Sequence, residues 1–271
     1  MTLSIICNLF SLLLLVFISS SFLTISEAVD TDEKFTYTEG NGKGPKNWGN
    51  INPNWTVCGN GKSQSPIDIV DERVQVLPQL GRLKRYYKPA PAALGNKGHS
   101  ITLKWNGDAG KININGTNYN LMQFHWHTPS EHTLNGSKFD LELHAVHQNS
   151  KEETAVIGVW YKIGLPDSLL SKLLNDIKSV KEQDIDVGII NPKLTKFGNR
   201  KYYRYFGSFT TPPCTEGVTW TIMKKVRTIS VEQLNALKEA VHPGFEENAR
   251  ATQELNGRQV YLYTPQEGKS V

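Results

Sequence analysis

Two short segments with alternating side chains, residues 123–127 and 141–146, constrain the fold more than any other feature of this sequence. They hold three of the five histidines that fall within one stretch of 23 residues, out of seven in the whole chain. On β-strands, the alternation would place His125 and His127 on one face of the first strand and His144 on one face of the second. If the two strands pair or lie side by side in a sheet, three imidazoles converge on one point.

Three neutral imidazoles with an open fourth position form a catalytic zinc site rather than a structural one. Each ligand histidine also needs an acceptor for its second ring nitrogen, which fixes the tautomer. Gln123 and Glu142 each lie two residues before a histidine on the same strand face, so we expect them to serve as these acceptors. The alternative is ordinary strand histidines satisfied by hydrogen bonds, and the matched polar partners favour the zinc site.

The remaining histidines of the cluster fit this site less well. His132 follows Glu131 in the connecting loop, and His147 would lie on the strand face opposite His144. For both we expect structural hydrogen bonding rather than metal ligation. His242, beside Pro243, is expected at the surface.

The rest of the chain predicts a mainly β, α+β fold with a few short surface helices. Residues 101–105 alternate, residues 155–161 form a continuous apolar run, and Asn115–Gly116 separates two strand-like segments as a hairpin turn would. Apolar residues between 169 and 180 have helical spacing. A capping box, formed by Ser230 with Gln233, opens a second helix. No linker or repeat divides the chain, so we expect one folded domain over residues 29–271.

The first residues have the pattern of a secretory signal. Residues 3–23 are almost wholly apolar, and Ser26-Glu27-Ala28 offers small residues at a cleavage position. We therefore predict a signal peptide over residues 1–28. A membrane anchor is the alternative, but no basic stop-transfer cluster follows, so no membrane span is expected after cleavage.

Other features agree with export. Loss of Cys7 with the signal would leave Cys58 and Cys214 as an even pair in an oxidising compartment. Three sequons could be glycosylated there, at Asn54, Asn115 and Asn135. The formal charge of +4 is weak grounds for polyanion binding, and we expect no nucleic-acid partner.

These residues together resemble the α-class carbonic anhydrases, most closely the secreted plant and bacterial branches. The resemblance covers most of residues 35–263 and implies a single domain built on a large, twisted, mostly antiparallel central sheet with short peripheral helices. The segments that carry it are residues 64–69, 98–99, 123–127, 130–133, 142–147 and 207–220.

The resemblance assigns His125, His127 and His144 as ligands of Zn²⁺, whose bound water would have a pKa of about 7. It implies that the resulting hydroxide attacks CO2 to give bicarbonate. Thr210 would accept a hydrogen bond from the hydroxide and donate its own proton to Glu131. Thr211 would contact bicarbonate.

The resemblance also implies a dry wall for CO2 and a route for the proton. The wall residues would be Val146, Val156, Phe209, Val218 and Trp220, with Phe209 standing where the family usually has leucine. His99 matches the proton shuttle, a role that suits its unperturbed pKa of about 6.5. Tyr37 roughly matches a tyrosine that orders the water chain, and Cys58 and Cys214 match a disulfide of secreted members.

The function implied is reversible CO2 hydration by a secreted lyase, in the apoplast if the chain comes from a plant. An organelle reached through the secretory pathway is the other destination. Sulfonamides and small anions would inhibit the enzyme, and it would be a monomer or a dimer. One alternative is a storage or binding protein of the dioscorin type with weak or residual activity. Another is a zinc hydrolase acting on esters, for which no dedicated ester pocket is visible.

Overall fold

Strands dominate the part of the chain that the computed structural model describes, residues 35–198 and 200–265. The predicted signal peptide lies outside these residues. Within them, no helix is long and apolar enough to cross a membrane. The strands, in chain order, are β1 Asp68–Ile69, β2 Gln75–Val76, β3 Lys84–Tyr87, β4 Ala90–Asn96, β5 Ile101–Trp105, β6 Gly110–Ile114, β7 Thr117–His127, β8 Thr133–Leu134, β9 Leu141–Gln148, β10 Thr154–Ile163, β11 Ile185–Ile190, β12 Tyr202–Ser208, β13 Glu216–Ile229 and β14 Tyr261–Tyr263.

The helices are short and lie between these strands. The α-helices are α1 Trp48–Ile51, α2 Val57–Asn60, α3 Ser168–Ser179 and α4 Val231–Ala240. Single 3-10 turns occur at Pro45–Asn47, Pro53–Trp55, Asp71–Arg73, Pro78–Leu80 and Pro192–Thr195.

Twelve strands form one twisted sheet in the order β11-β4-β5-β7-β9-β10-β13-β12-β14-β2, with β6 pairing to both β7 and β3. Most neighbours are antiparallel, but β10–β13 and β14–β2 are parallel. A separate two-stranded parallel ladder joins β1 to β8. The mainly β fold with a large central sheet is therefore confirmed, and the sheet is mixed.

The local predictions from patterning and capping are confirmed as well. Asn115 and Gly116 have φ of 49° and 89°, the left-handed values that a two-residue hairpin turn requires. Asp167 caps α3 by accepting hydrogen bonds from two backbone N–H groups of its first turn. Ser230 and Gln233 form the expected capping box at α4. Both helices pack against the main hydrophobic core on one face of the sheet.

An irregularity in β7 decides which face of the sheet carries the histidines. Leu121 and Phe124 both point into the main core, although strict alternation would put residues three apart on opposite faces. The register between β7 and β9 shifts between Leu121 and Gln123, which inserts Met122 as a bulge. The bulge turns His125 and His127 away from the main core.

The predicted disulfide is present. Cys58 in α2 and Cys214 after β12 are joined with an S–S distance of 2.06 Å, across a sequence separation of 156 residues. The bond lies in a small apolar cluster with Trp48. It ties the N-terminal helices to the loop that follows Thr210.

Candidate active site

The pairing of β7 with β9 brings the three predicted ligands together. His125 lies directly opposite His144 in the ladder, and His127 lies opposite Glu142. On the other side of β9, Gly158 of β10 pairs with His144. Because paired residues project to the same face, the three imidazoles converge at the centre of the sheet.

In each ring, one nitrogen donates a hydrogen bond to an acceptor of the protein. These bonds run from His125 Nδ1 to Gln123 Oε1 at 2.8 Å, from His127 Nδ1 to the Asn248 carbonyl at 2.7 Å, and from His144 Nε2 to Glu142 Oε1 at 3.0 Å. These hydrogen bonds fix the tautomer of each ring. The other nitrogen of each ring is therefore unprotonated, and its lone pair can bind a metal.

The other three nitrogens face one another. One ligand-capable atom from each ring lies within 4.8 Å of the others, and His144 Nδ1 is 3.3 Å from His125 Nε2. His127 Nε2 and Glu131 Oε2 are fully buried without a hydrogen-bond partner, 3.5 Å apart. Buried polar atoms are rarely left unsatisfied. Three lone pairs and a carboxylate oxygen around one point fit a bound cation.

The electrostatics of the group suit a metal. Burial, followed by repulsion from the neighbouring histidines, holds the pKa of His125 well below its usual value; burial also lowers the pKa of His127. Burial alone would raise the pKa of Glu142, but its electrostatic interactions and hydrogen bonds with His132 and His144 hold it below its usual value. The site therefore presents His125 and His127 as neutral imidazoles near an ionised carboxylate.

Glu142 has more partners than its strand position indicated. Its Oε1 also accepts from His132 Nδ1 at 2.7 Å, and its Oε2 accepts from the backbone N–H groups of Glu131 and His132. A Cβ on Gly158 would lie 2.9 Å from Oε1, so glycine at this position leaves room for the carboxylate. The sequence signal for this would have been a glycine inside an otherwise apolar strand.

Three of the remaining histidines are not available as metal ligands in the same way. Both ring nitrogens of His132 and His147 are in hydrogen bonds, and His242 faces solvent. His132 donates to Glu142 and accepts from the Tyr205 hydroxyl at 2.6 Å. His147 lies on the opposite face of β9, where it donates to the Ala155 carbonyl and accepts from the Tyr87 hydroxyl. His242 is exposed.

A cavity of about 270 Å³ opens beside the three imidazoles. Val146, Val156 and Trp220 line it as one row across β9, β10 and β13. Phe209, Thr210 and Thr211 line it from the loop after β12. Val218 does not line it, contrary to the expectation above. Its side chain is 1% exposed and packs in the same apolar cluster as Val156 and Trp220 without reaching the cavity.

Glu131 does not make its predicted hydrogen bond to Thr210. Its Oε1 accepts from the backbone N–H of Arg250 at 2.9 Å, while its Oε2 turns toward the histidines and has no hydrogen-bond partner. Thr210 is buried at the cavity, with 5% exposure. The two residues thus lie at the same site without the contact that the resemblance implies.

His99 lines the cavity, but its environment differs from the expected one. Its ring packs against Phe35, at 5.3 Å between centroids, and against Phe245. Burial, with repulsion from His127, lowers the pKa of His99 to about 4 instead of leaving it near 6.5. Tyr37 lies in the same aromatic cluster, where its hydroxyl is buried without a partner and burial raises its pKa.

Two residues of the site escaped the sequence analysis. Asn248 supplies the acceptor for His127, and its side chain accepts from the Thr128 N–H. Arg250 is 1% exposed, and its guanidinium donates to Gln64 and to the carbonyls of Ser65 and Cys58. Both residues lie more than 100 positions from their partners, so no local periodicity points to them.

A large β-sheet that holds three histidines with one free nitrogen each, at the base of a partly apolar cavity, defines a metal-site protein of the α-carbonic anhydrase type. The sequence model of the eukaryotic-type carbonic anhydrase family matches residues 43–264. The chain belongs to this family.

Individual relatives agree. Alpha carbonic anhydrase 4 of Arabidopsis thaliana is 53% identical over 252 residues, covering 92% of this chain and 94% of its own. A crystal structure of dioscorin complexed with ascorbate matches 87% of this chain and all of its own, with a TM-score of 0.85 and 41% identity. The α-carbonic anhydrase from Thermovibrio ammonificans in complex with the inhibitor sulfanilamide matches 85% of this chain and all of its own, with a TM-score of 0.77 and 34% identity.

Proposed function

We propose that the protein hydrates CO2 reversibly to bicarbonate and a proton, with Zn²⁺ held by His125, His127 and His144. The observation that carries this proposal is the arrangement of the three rings. In each ring one nitrogen donates a hydrogen bond to the protein, and the other nitrogen is directed at a point shared by all three. Zinc bound by three histidines supplies a water with a pKa of about 7, and hence a nucleophile at neutral pH.

The residues around the metal site would position the reactants. Gln123, Asn248 and Glu142 keep the ligand rings in the correct tautomer and orientation. Val146, Val156 and Trp220 offer an apolar wall against which CO2 can rest. Thr210 and Thr211 present the polar groups at this wall, where they would orient the nucleophile and contact bicarbonate.

Thr210 would reach its active geometry by a small rearrangement. Glu131 Oε2 lies 3.5 Å from His127 Nε2 and has no hydrogen-bond partner, so it is free to turn toward Thr210. The carboxylate oxygen is then available to accept a hydrogen bond from the Thr210 hydroxyl. The hydroxyl oxygen is left as an acceptor toward the nucleophile.

His99 would carry the proton out, but only from a ring position more exposed to water. In the aromatic pocket with Phe35 its pKa of about 4 is too low to hold a proton at neutral pH. A ring turned out of this pocket recovers a pKa nearer the model-peptide value of about 6.5. We therefore expect exchange with buffer to depend on this side chain's mobility.

The direct test is zinc analysis combined with stopped-flow CO2 hydration, with and without an aromatic sulfonamide. We expect about one zinc per chain and hydration that the sulfonamide abolishes. A chain that carries much less zinc, and that shows no sulfonamide-sensitive hydration after zinc is added, would contradict the proposal.

The second candidate is a storage or binding protein of the dioscorin type with little activity; the chain is similar to a dioscorin solved in complex with ascorbate. The missing Thr210–Glu131 contact and the lowered pKa of the half-buried His99 are the observations that favour it. The same experiment separates the two functions: a storage protein would bind zinc weakly or hydrate CO2 slowly with its three ligands intact. Slow sulfonamide-sensitive hydration at full zinc occupancy would support it.

We also propose that residues 1–28 are removed as a signal peptide and that residues 29–271 are exported as one domain, as a monomer or a dimer. The disulfide supports an oxidising compartment, the apoplast or an organelle reached by secretion. Asn54, Asn115 and Asn135 are all exposed, as glycan acceptors must be. Mass spectrometry of the secreted protein, before and after glycan removal, checks the new N-terminus and all three sites. A protein that retains residues 1–28 or carries no glycan would contradict the corresponding part.

A further inference from the structure

A second cleft, of about 470 Å³, lies between β3, β13 and residues 192–198. Its floor is formed by Tyr87 and Phe197, which belong to the main core. The Tyr87 hydroxyl donates to His147, which lies on the face of β9 opposite His144. The cleft therefore opens on the sheet face opposite the three ligand histidines. It shares no lining residue with the active-site cavity.

The walls of this cleft are strongly basic. Five cationic side chains line it and no acidic one does; they are Arg85, Lys193, Lys196, Lys225 and Arg227. An adjoining cleft of about 350 Å³ adds Arg82 and Arg200 beside Arg85. The modest net charge of the chain is thus concentrated in one place, which total composition could not show.

These charges are not neutralised by the protein. The salt bridges of the described residues include none of the five cations. Arg227 Nε is buried without a hydrogen-bond partner. Asp167 interacts electrostatically with Arg227 and Lys196, but it is 4% exposed and caps α3 with its Oδ1.

The walls are also held in place. The Arg85 guanidinium lies 5.4 Å above the Phe197 ring centre, so its position is fixed by stacking while its N–H groups remain available. At Gly198, with φ of 90°, a Cβ would lie 2.9 Å from Lys225 Cβ. Glycine therefore lets the loop close directly onto the stem of Lys225.

We propose that this cleft is a binding site for a small multivalent oxyanion, bearing phosphate or several carboxylate groups. Like charges brought this close repel one another, and an anion with two or more charges relieves that repulsion at several cations at once. The arginines offer paired N–H groups that match the geometry of phosphate and carboxylate oxygens. The volume suits a small molecule, and the position on the far face leaves the active site free.

The test is calorimetric titration of the zinc-loaded protein with pyrophosphate, at low ionic strength and with a saturating sulfonamide to block the active site. We expect one pyrophosphate per chain. The double variant K193Q/K225Q should weaken binding about tenfold or more, because it removes two exposed cations of the wall. Lys225→Gln keeps the stem that packs on Gly198. Lys138→Gln, which removes an exposed charge outside the cleft, should change affinity less than about twofold.

Parallel titrations with inorganic phosphate and with citrate distinguish phosphate from carboxylate as the preferred group. Three results would overturn the proposal: no binding of any of these anions, equal affinity in K193Q/K225Q and in the parent, or binding of a long acidic polysaccharide with none of the small anions. The last result would identify the basic face as a polymer-binding surface instead. Thermal unfolding of each variant without ligand checks that the fold is retained.

Discussion

Two histidines of β9 lie three residues apart and are equally buried, yet they occupy opposite chemical environments. His147 has both ring nitrogens in hydrogen bonds, with Tyr87 and with the Ala155 carbonyl. His144 Nε2 donates to Glu142, and His144 Nδ1 faces His125 Nε2. Neither of these two facing nitrogens carries a proton, because each ring donates its proton from its other nitrogen. The difference shows that a candidate metal ligand is identified by a ring nitrogen without a hydrogen-bonding proton or donor, and not by burial or by residue type.

The two sheet faces around these residues differ in the same way. On the face of His147, the hydroxyl of Tyr87 and both ring nitrogens of His147 are buried in the main core and hydrogen-bonded. On the face of His144, His127 Nε2 and Glu131 Oε2 are left unsatisfied. A metal ion would satisfy the free atoms on the second face, whereas His147 and Tyr87 already satisfy each other on the first. The predictions below use substitutions on the two faces to separate these two cases.

The largest effect is expected for His144→Ala. With one of three ligands lost, bound zinc should fall far below one per chain, and hydration should drop by about a thousandfold, several kcal/mol of transition-state stabilisation. Zinc analysis and stopped-flow hydration measure both quantities. His147→Leu is the matched control on the other face, and it should keep its zinc. Full zinc content and full hydration rate in His144→Ala would show that His144 is not a metal ligand.

Glu142→Gln should have the next largest effect. The amide cannot accept from His144, His132 and two backbone N–H groups together without turning its own NH2 toward a donor. Zinc affinity should fall about 10–100-fold, as measured by competition with a chelator. Glu247→Gln, which removes an exposed carboxylate, is the control. Equal zinc affinity in both variants would argue that Glu142 only holds the loop around His132.

His147→Leu should lower stability without changing metal binding. It leaves the buried Tyr87 hydroxyl without its partner, which costs about 1–3 kcal/mol of unfolding free energy. Urea unfolding of the zinc-loaded protein measures this loss, and zinc content is measured alongside. A loss of zinc comparable to that of His144→Ala would mean that the two faces are not independent.

The effect that is smallest near neutral pH is the contribution of His147 to the pH dependence of stability, which the parent should show and His147→Leu should lack. Burial lowers the pKa of His147 to about 3, so below pH 6.5 the unfolded chain takes up a proton there that the folded protein refuses. This group should therefore destabilise the parent by about 1.4 kcal/mol for each pH unit between about 6 and 4. His147→Leu lacks the effect, so its stability deficit should shrink as pH falls over that range. A deficit that stays constant would contradict the low pKa.

Much of the site could be predicted because its parts are local. His125 and His127 with Gln123, and His144 with Glu142, all follow from alternation within one strand. The caps of α3 and α4 and the Asn115–Gly116 turn follow from side chains that bond to their own backbone. The contacts that alternation could not supply come from distant parts of the chain: the Asn248 carbonyl at His127, and Tyr87 at His147.

The errors have the same origin. Val218 shares the alternation of Trp220 and packs in the same apolar cluster, but only Trp220 reaches the cavity, which periodicity cannot distinguish. The pKa of His99 was expected from the free side chain, whereas Phe35 and Phe245, from distant parts of the chain, pack against its ring and partly bury it. The Met122 bulge carries no signal in composition, yet it selects the face that the histidines occupy.

The Cys58–Cys214 bond has a consequence for how damage to this protein would be seen. All of β7, β9 and the three candidate ligands lie inside the 156-residue interval that it closes. A protease that cuts an exposed turn within the interval, such as Asn115–Gly116, would leave the two pieces covalently joined. Such a nicked molecule would migrate as one species until a reductant is added. The bond thus holds the N-terminal fragment, with strands β3–β6, at high effective concentration beside the fragment that carries all three candidate ligands, so the sheet around the site can stay assembled after the cut.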